Sequence, residues 1–483
     1  MSINRSWAAY PSTYRAREMK ILGQWISFGE SGSVVGLPGC GRSNLLGFLC
    51  HRPEVLQSYL VPQPEARIDS AVLIPVDLHN LPARNLSTLY RVMLRSFERV
   101  CDQFEPALRQ KISDLYQNSQ TEQDPFLPQS ALQELLRLCQ AQQIKVVLVL
   151  NHFDGFYPIA TPQMVNTLRG LRDEFKDTLC YIAGMIQEVA ALPDPTILGN
   201  MYELLDNYVC WVGAMTEADS RNLIARATYA APTRPGEADI VTMLTLAGGY
   251  PALLRAMCHW WLMTENRPAH REWAAILFAE RNIQHRLARI WTGLTQEEQF
   301  SLAELQKLQT VVMEAASRNH QEAVKKPKPF DEAFIEPHRD ILMALSAKGV
   351  CRQTETGWCI AANLLATYVA RAKGQGRGRI WVDEKTGEIY QGQTLLQNLT
   401  TLERSVLSFL IKYPRARHTK TDIIIKTWPD EFRRQGVSDN SLYQVIFTIR
   451  QEIEPNPSQP SYLITWRGKP EGGYQFFPEG RAG

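Results

Sequence analysis

The stretch Ser33-Val34-Val35-Gly36-Leu37-Pro38-Gly39-Cys40-Gly41-Arg42-Ser43-Asn44 decides how this chain is read. The paired valines predict a short buried β-strand, and Leu45, Leu46, Phe48 and Leu49 predict the start of a helix. Between them, Gly36, Gly39 and Gly41 let the backbone turn tightly and point N–H groups into one concavity. The following helix adds its positive N-terminal end. The segment therefore suits a phosphate, with Gly36, Gly39, Cys40, Gly41, Arg42, Ser43 and Asn44 as candidate binding residues. One residue departs from the usual phosphate loop: Arg42 stands where a lysine normally reaches the β- and γ-phosphates.

Outward from the loop, strand and helix signals alternate. Residues 1–30 read as a polar lead-in, with helical spacing of Met19, Leu22 and Trp25. Further strands are expected at Ala71–Asp77, Lys145–Leu150, Thr178–Gly184 and Tyr208–Gly213, and helices at about 86–116. Lys145–Leu150 is an unbroken aliphatic run of the kind buried on both faces of a parallel sheet. The alternation predicts a doubly wound α/β core over 31–214, its ligand at the carboxyl ends of the strands. At the end of the third strand stand Asn151, His152 and Asp154. In phosphate-loop NTPases this strand end carries the acid that orders Mg²⁺ and often a glutamate that activates water. Here Asn151 brings no charge to the metal position and His152 replaces the catalytic acid. Asp154 is an acid two residues on, which strand alternation alone does not place at a metal.

From Thr216 the pattern turns helical, with Thr216 as N-cap and Asp219 in the first turn. Gly248-Gly249-Tyr250-Pro251 stops one helix and starts another, whose Arg255 is a candidate contact for a γ-phosphate. The order of these features over roughly 12–370 resembles the signal-transduction ATPases with numerous domains (STAND) and the origin-recognition-type AAA+ proteins. The resemblance implies a helical lid at 215–285 and ATP or ADP bound as a conformational switch, with Mg²⁺ only where the site is functional. Arg42, Asn151 and the absence of a polar sensor in Ala183-Gly184-Met185 depart from that pattern, and all three point to weak or absent hydrolysis.

Residues 286–372 read as a winged-helix-like module: a helical stretch from Leu294, a charged loop at Glu322–Pro329, a second helix through Leu345, and a hairpin at Cys351–Ile360. A glycine-rich basic linker covers 373–379.

The last unit, 380–483, opens with a small hairpin and carries Leu399-Thr400-Thr401-Leu402-Glu403, Val437-Ser438-Asp439-Asn440-Ser441-Leu442 and Tyr462-Leu463-Ile464-Thr465-Trp466-Arg467-Gly468 before Gly473-Tyr474-Gln475-Phe476. Together these resemble the OmpR/PhoB-type winged helix. That family implies double-stranded DNA as partner, with the third helix in the major groove and the wing beside it. Helical spacing turns Leu442, Ile446, Ile449 and Ile453 inward. It leaves Asn440, Tyr443, Gln444, Phe447, Thr448 and Gln451 outward or flanking, as candidate base readers. Arg450, Arg467, Lys469, Arg415, Arg417 and Lys420 are candidates for phosphate or the minor groove. Over 375–483, 15 Lys and Arg face 12 Asp and Glu, a net of +3, so a homo-oligomer or a partner protein is expected to add affinity.

The composition is compatible with this organisation. The 483 residues allow several domains, and the whole-chain net charge of +2 makes any basic surface local. Nine scattered cysteines without a C-x-x-C pair favour reduced thiols over a disulfide framework or a zinc site. With no apolar leader or spanning run, a cytoplasmic protein is expected. The leading expectation is a DNA-binding regulator with a degenerate nucleotide-binding core as sensor or oligomerisation platform. An active ATP-driven switch and a scaffold subunit of a defence or mobile-element complex stand beside it.

Overall fold

A computed structural model describes residues 7–61, 71–78, 81–120, 126–192, 194–318, 332–354, 357–371, 379–383, 386–391, 394–396, 398–429, 439–454, 457, 460–468 and 471–480. The chain divides into two compact units. One comprises Met1–Gly293, Ala344–Arg352 and Ala361–Leu364, the other Leu294–Met343, Gln353–Ile360 and Leu365–Gly483. The residues of the 286–372 module are thus divided between them, as helices Gln296–Arg318, Glu332–Ala347 and Asn363–Arg371 and short strands Cys351–Thr354 and Gly357–Ile360. The charged loop at 322–329 and most of the 373–379 linker lie outside the described residues.

The first unit is built on five strands: β1 (Gly32–Val35), β2 (Ala71–Asp77), β3 (Lys145–Asn151), β4 (Leu179–Met185) and β5 (Val209–Trp211). They form one parallel sheet in the order β2-β3-β4-β1-β5. β3 and β4 are interior, and their aliphatic runs follow from that place: Val146–Leu150 and all of β4 are buried. Each fully buried Val or Leu there contributes on the order of 1.5–3 kcal/mol. Helices α1 (Ala16–Phe28), α2 (Arg42–His51), α3 (Leu86–Arg99), α4 (Leu127–Ala141) and α5 (Pro162–Glu174) accompany the sheet. Side-chain caps start two of them, Asn85 accepting from the Thr88 amide at 2.8 Å and Thr161 from the Met164 amide at 3.2 Å.

The lead-in is not peripheral. Met19, Leu22 and Ile26 on α1 are fully buried, and Arg15, just before the helix, is 2% exposed. Arg15 adopts φ 54° and donates to the carbonyls of Cys40 (2.6 Å) and Gly213 (3.0 Å), joining the phosphate loop to the segment after β5.

After the sheet come α6 (Glu217–Ala227), α7 (Glu237–Ala247), α8 (Pro251–Met263) and α9 (Arg281–Thr292). Thr216 caps α6 by accepting from the Asp219 amide at 3.2 Å. Gly248 ends α7 in the left-handed region and Pro251 opens α8, as the Gly-Gly-Tyr-Pro reading expects.

Within the second unit, β6 (Ile380–Val382), β7 (Ile389–Gln391) and β8 (Thr394–Leu395) make one antiparallel sheet. Then follow α10 (Thr401–Lys412), β9 (Arg417–Thr419), α11 (Lys420–Thr427), α12 (Asp439–Ile453), β10 (Leu463–Trp466) and β11 (Gly473–Phe476), with β11 between β9 and β10 in a second sheet. Capping boxes start α10 (Thr400 with Glu403) and α11 (Thr419 with Asp422). One core of Val406, Leu407, Leu410, Ile423, Leu442, Ile446, Ile449 and Phe476 joins the three helices to the wing.

Candidate functional site

The loop between β1 and α2 is held open from both sides. Gly39 and Gly41 lie at φ 89° and 93°, where side chains are rarely tolerated. The Gly39 carbonyl accepts the Ala252 amide of α8 at 3.1 Å. Cys40 turns its buried thiol under the loop, so that a Cβ on Gly36 would meet its sulfur at 2.5 Å. Burial raises that thiol's pKa and keeps it a packing group. No side chain caps α2, which leaves its first-turn amides available to a ligand. Gly36 to Asn44, together with His152, Ile186, Pro251, Ala252, Arg255, Arg286 and Arg289, line a cavity of about 400 Å³.

The strand-end residues do not assemble a metal site. The Asn151 side-chain oxygen accepts the His152 amide at 3.0 Å. His152, at φ 57°, turns the chain off β3 and reaches the cavity wall. Asp154, a candidate stand-in for the missing acid, accepts from the Ile186 amide (2.9 Å) and pairs with Arg42 Nη1 (3.4 Å). It thus ties the end of β4 to α2, and among the described residues no Asp or Glu lines the cavity. Mg²⁺ requires near-octahedral oxygen ligands, normally including a carboxylate, and this lining does not fit it. Among the described residues no group of three His, Cys, Asp or Glu is placed to hold a metal ion.

Cations replace acids at the cavity. Arg42 is 7% exposed, and Arg255 of α8 stands on the wall. Sequence reasoning missed Arg286 and Arg289 of α9. Their only signal was an i, i+3 spacing along the flank of the buried Ile283, Leu287 and Ile290. Arg255, Arg286 and Arg289 make no ion pair among the described residues. Burial lowers the pKa of Arg286, and the neighbouring Arg255 and Arg289 charges add to that.

In the second unit the inward stripe of α12 falls where helical spacing put it. Leu442, Ile449 and Ile453 are fully buried and Ile446 is 2% exposed. On the other side Asn440, Gln444 and Gln451 are exposed, as are the aromatic rings of Tyr443 (43%) and Phe447 (60%). Thr448 is half-buried, its hydroxyl donating to the Gln444 carbonyl at 3.1 Å.

Arg450 departs from expectation. Its Nε and Nη2 donate to the Leu463 carbonyl (3.0 and 2.6 Å) and Nη2 also to Thr465 (2.9 Å). The reason is position: residue 450 lies one turn from both Ile446 and Ile453, at the edge of the core, and reaches β10 rather than solvent. Burial lowers its pKa, against the opposing effect of Tyr474 and Glu454.

Arg417 stands over the Trp466 ring and Lys420 over the Tyr443 ring, at 5.9 and 5.0 Å. Arg467 is exposed on the wing, while Arg415 pairs with Glu479 at 3.4 Å. Lys469 lies outside the described residues. Glu471, near the wing tip, accepts from the Thr421 amide (3.1 Å) and hydroxyl (2.9 Å), pinning the wing to the start of α11. Glu454 was also missed. It is 1% exposed and accepts from the amides of Ser461 (2.7 Å), Tyr462 (2.9 Å) and Leu463 (2.7 Å).

Fold and sites together define a protein with a phosphate-loop α/β core and a transcription-regulator type of DNA-binding domain. Residues 393–476 match the family described as "Transcriptional regulatory protein, C terminal". No curated protein matches the chain. Among solved structures it is similar to a Walker-type ATPase of Pyrococcus abyssi (14% identity, 74% of this chain, 98% of that one, TM-score 0.39). It is also similar to Cdc6p from Pyrobaculum aerophilum (12%, 74% and 92%, TM-score 0.32). A third is the Aeropyrum pernix ORC1 protein, solved in complex with DNA (12%, 74% and 91%, TM-score 0.29). No helix among the described residues is long and apolar enough to cross a membrane.

Proposed function

We propose that this chain is a cytoplasmic DNA-binding transcriptional regulator. Its phosphate-loop core binds ATP or ADP as a sensor or oligomerisation platform and hydrolyses it weakly or not at all. In this reading the core spans 31–214, the lid 215–285, a winged-helix-like module 286–372, a linker 373–379 and the DNA-binding domain 380–483. The observation that carries it is the outward face of α12, where Tyr443, Gln444, Phe447 and Gln451 are exposed on a segment matched by a transcription-regulator family. Two aromatic rings one turn apart, both exposed, suit contact with base edges and thymine methyls. The places of Asn151 and Asp154 support weak turnover: neither is among the residues lining the cavity, Asn151 is uncharged, and Asp154 holds Arg42 and the Ile186 amide through Oδ1.

A genomic footprint of the full chain, followed by titration of the recovered site, tests the reading. Gln444→Ala with Gln451→Ala is expected to cost about 1–3 kcal/mol of discrimination per lost base contact. A salt-insensitive, sequence-blind interaction would remove the regulator reading in favour of a protein-binding scaffold.

A further inference from the structure

The phosphate cavity carries an excess of positive charge. Arg42, Arg255, Arg286 and Arg289 share its wall, while among the described residues no carboxylate lines it. Arg42 pairs with Asp154 through Nη1, but its Nε is buried without a hydrogen-bond partner, as is the Nε of Arg286. Arg42 is itself 7% exposed, so its unpartnered donor belongs to a nearly buried side chain. A guanidinium withdrawn from water needs an anion or an acceptor to offset its lost hydration. Burial lowers the pKa of Arg286, and the neighbouring Arg255 and Arg289 charges lower it further. Asp154 offsets Arg42, whereas Arg255 and Arg289 are exposed and Arg286 is half-buried, so three guanidiniums present their charge to an anionic ligand at the cavity.

A phosphate chain at this loop is usually neutralised by Mg²⁺, held in turn by a protein acid. Here the candidate acid is not in the cavity lining: Asp154 holds Arg42 and the Ile186 amide through Oδ1, and Asn151 accepts its neighbour's amide. We propose that the cavity takes a nucleoside di- or triphosphate in its metal-free form, with Arg255, Arg286 and Arg289 doing the neutralising that Mg²⁺ does elsewhere. This rests on the nucleotide-binding part of the proposed function and specifies the ligand's charge state. The open first-turn amides of α2 take phosphate oxygens, and the guanidiniums bracket the chain from α8 and α9. A compact ligand with several negative charges matches this set better than a diester backbone, which carries one charge per phosphate.

The test is isothermal titration of the full chain with ADP and with ATP, each in EDTA and in excess Mg²⁺, with tripolyphosphate as a competitor. Binding in EDTA is expected to equal or exceed that in Mg²⁺, since the metal cancels the charge the arginines recognise. Tripolyphosphate in EDTA is expected to displace ADP. Replacing both outer arginines (Arg286→Gln with Arg289→Gln) should weaken EDTA binding by about tenfold or more, each charge-assisted contact being of that order. An unchanged circular-dichroism spectrum and melting curve would show that the variant folds.

Binding that requires Mg²⁺ would overturn this proposal and leave the nucleotide reading standing. No binding in either buffer would overturn both. Unchanged affinity in the double variant, or no displacement by tripolyphosphate, would overturn the arginine assignment.

Discussion

At the scale of single residues, two buried charges hold the two candidate sites in shape. Arg15 Nη1 lies 3.2 Å from the buried Glu18, and the same guanidinium serves the Cys40 and Gly213 carbonyls. Arg15→Ala would leave Glu18 buried and unpaired and release the back of the phosphate loop. It is expected to cost about 3–5 kcal/mol of the first unit's stability, read as a lower urea midpoint. Glu454 does the same for the wing, since three consecutive amides converge on its carboxylate. Glu454→Ala should cost about 1–3 kcal/mol and speed hydrogen exchange at Ser461, Tyr462 and Leu463; unchanged exchange there would refute the role. Neither residue was legible in the sequence. Arg15 meets Gly213 across 198 positions, and such a partner is created only by the fold. Arg42 and Asn151 were legible because the loop and strand end give their positions a standard chemistry to depart from. Arg450 misled because its residue type suggested phosphate while its place on α12 put it at the core edge.

At the scale of elements, the five strands were legible because each is a compact apolar run bounded by turns. Their order β2-β3-β4-β1-β5 was not, since no local pattern says which strands become neighbours. Likewise the Gly-Gly-Tyr-Pro signal gave the start of α8, but not that this start rests on the phosphate loop. The Ala252 amide bonds the Gly39 carbonyl, and a Cβ placed on Gly39 would lie 2.7 Å from Ala252 Cβ. Gly39→Ala therefore forces both a left-handed alanine and a collision at the contact between the loop and α8. It is expected to destabilise by roughly 1–3 kcal/mol and to abolish nucleotide binding. Thermal denaturation with and without ADP checks this. A ligand-induced shift equal to that of the unaltered protein would show that the loop and α8 need not meet in this way.

At the scale of the whole molecule, a net charge of +2 gives little long-range attraction to DNA, so affinity has to come from a local patch. Among the described candidate cations, Arg450 is turned inward and Arg415 is paired to Glu479; the proposed interface takes one phosphate at each of Arg417, Lys420 and Arg467. Counterion release then predicts a slope of log affinity against log salt of roughly −3 for one bound copy, and roughly −6 if two copies occupy one site. Fluorescence anisotropy on a labelled duplex across a potassium chloride series separates the two. Arg467→Ala should reduce the magnitude of the slope by about one per bound copy while leaving the order of preferred sequences unchanged. A slope indifferent to that change would take the wing out of the interface. A steep, two-copy slope would instead make self-association the means by which a sparsely charged reading domain reaches useful affinity, and would give the nucleotide core an assembly to control.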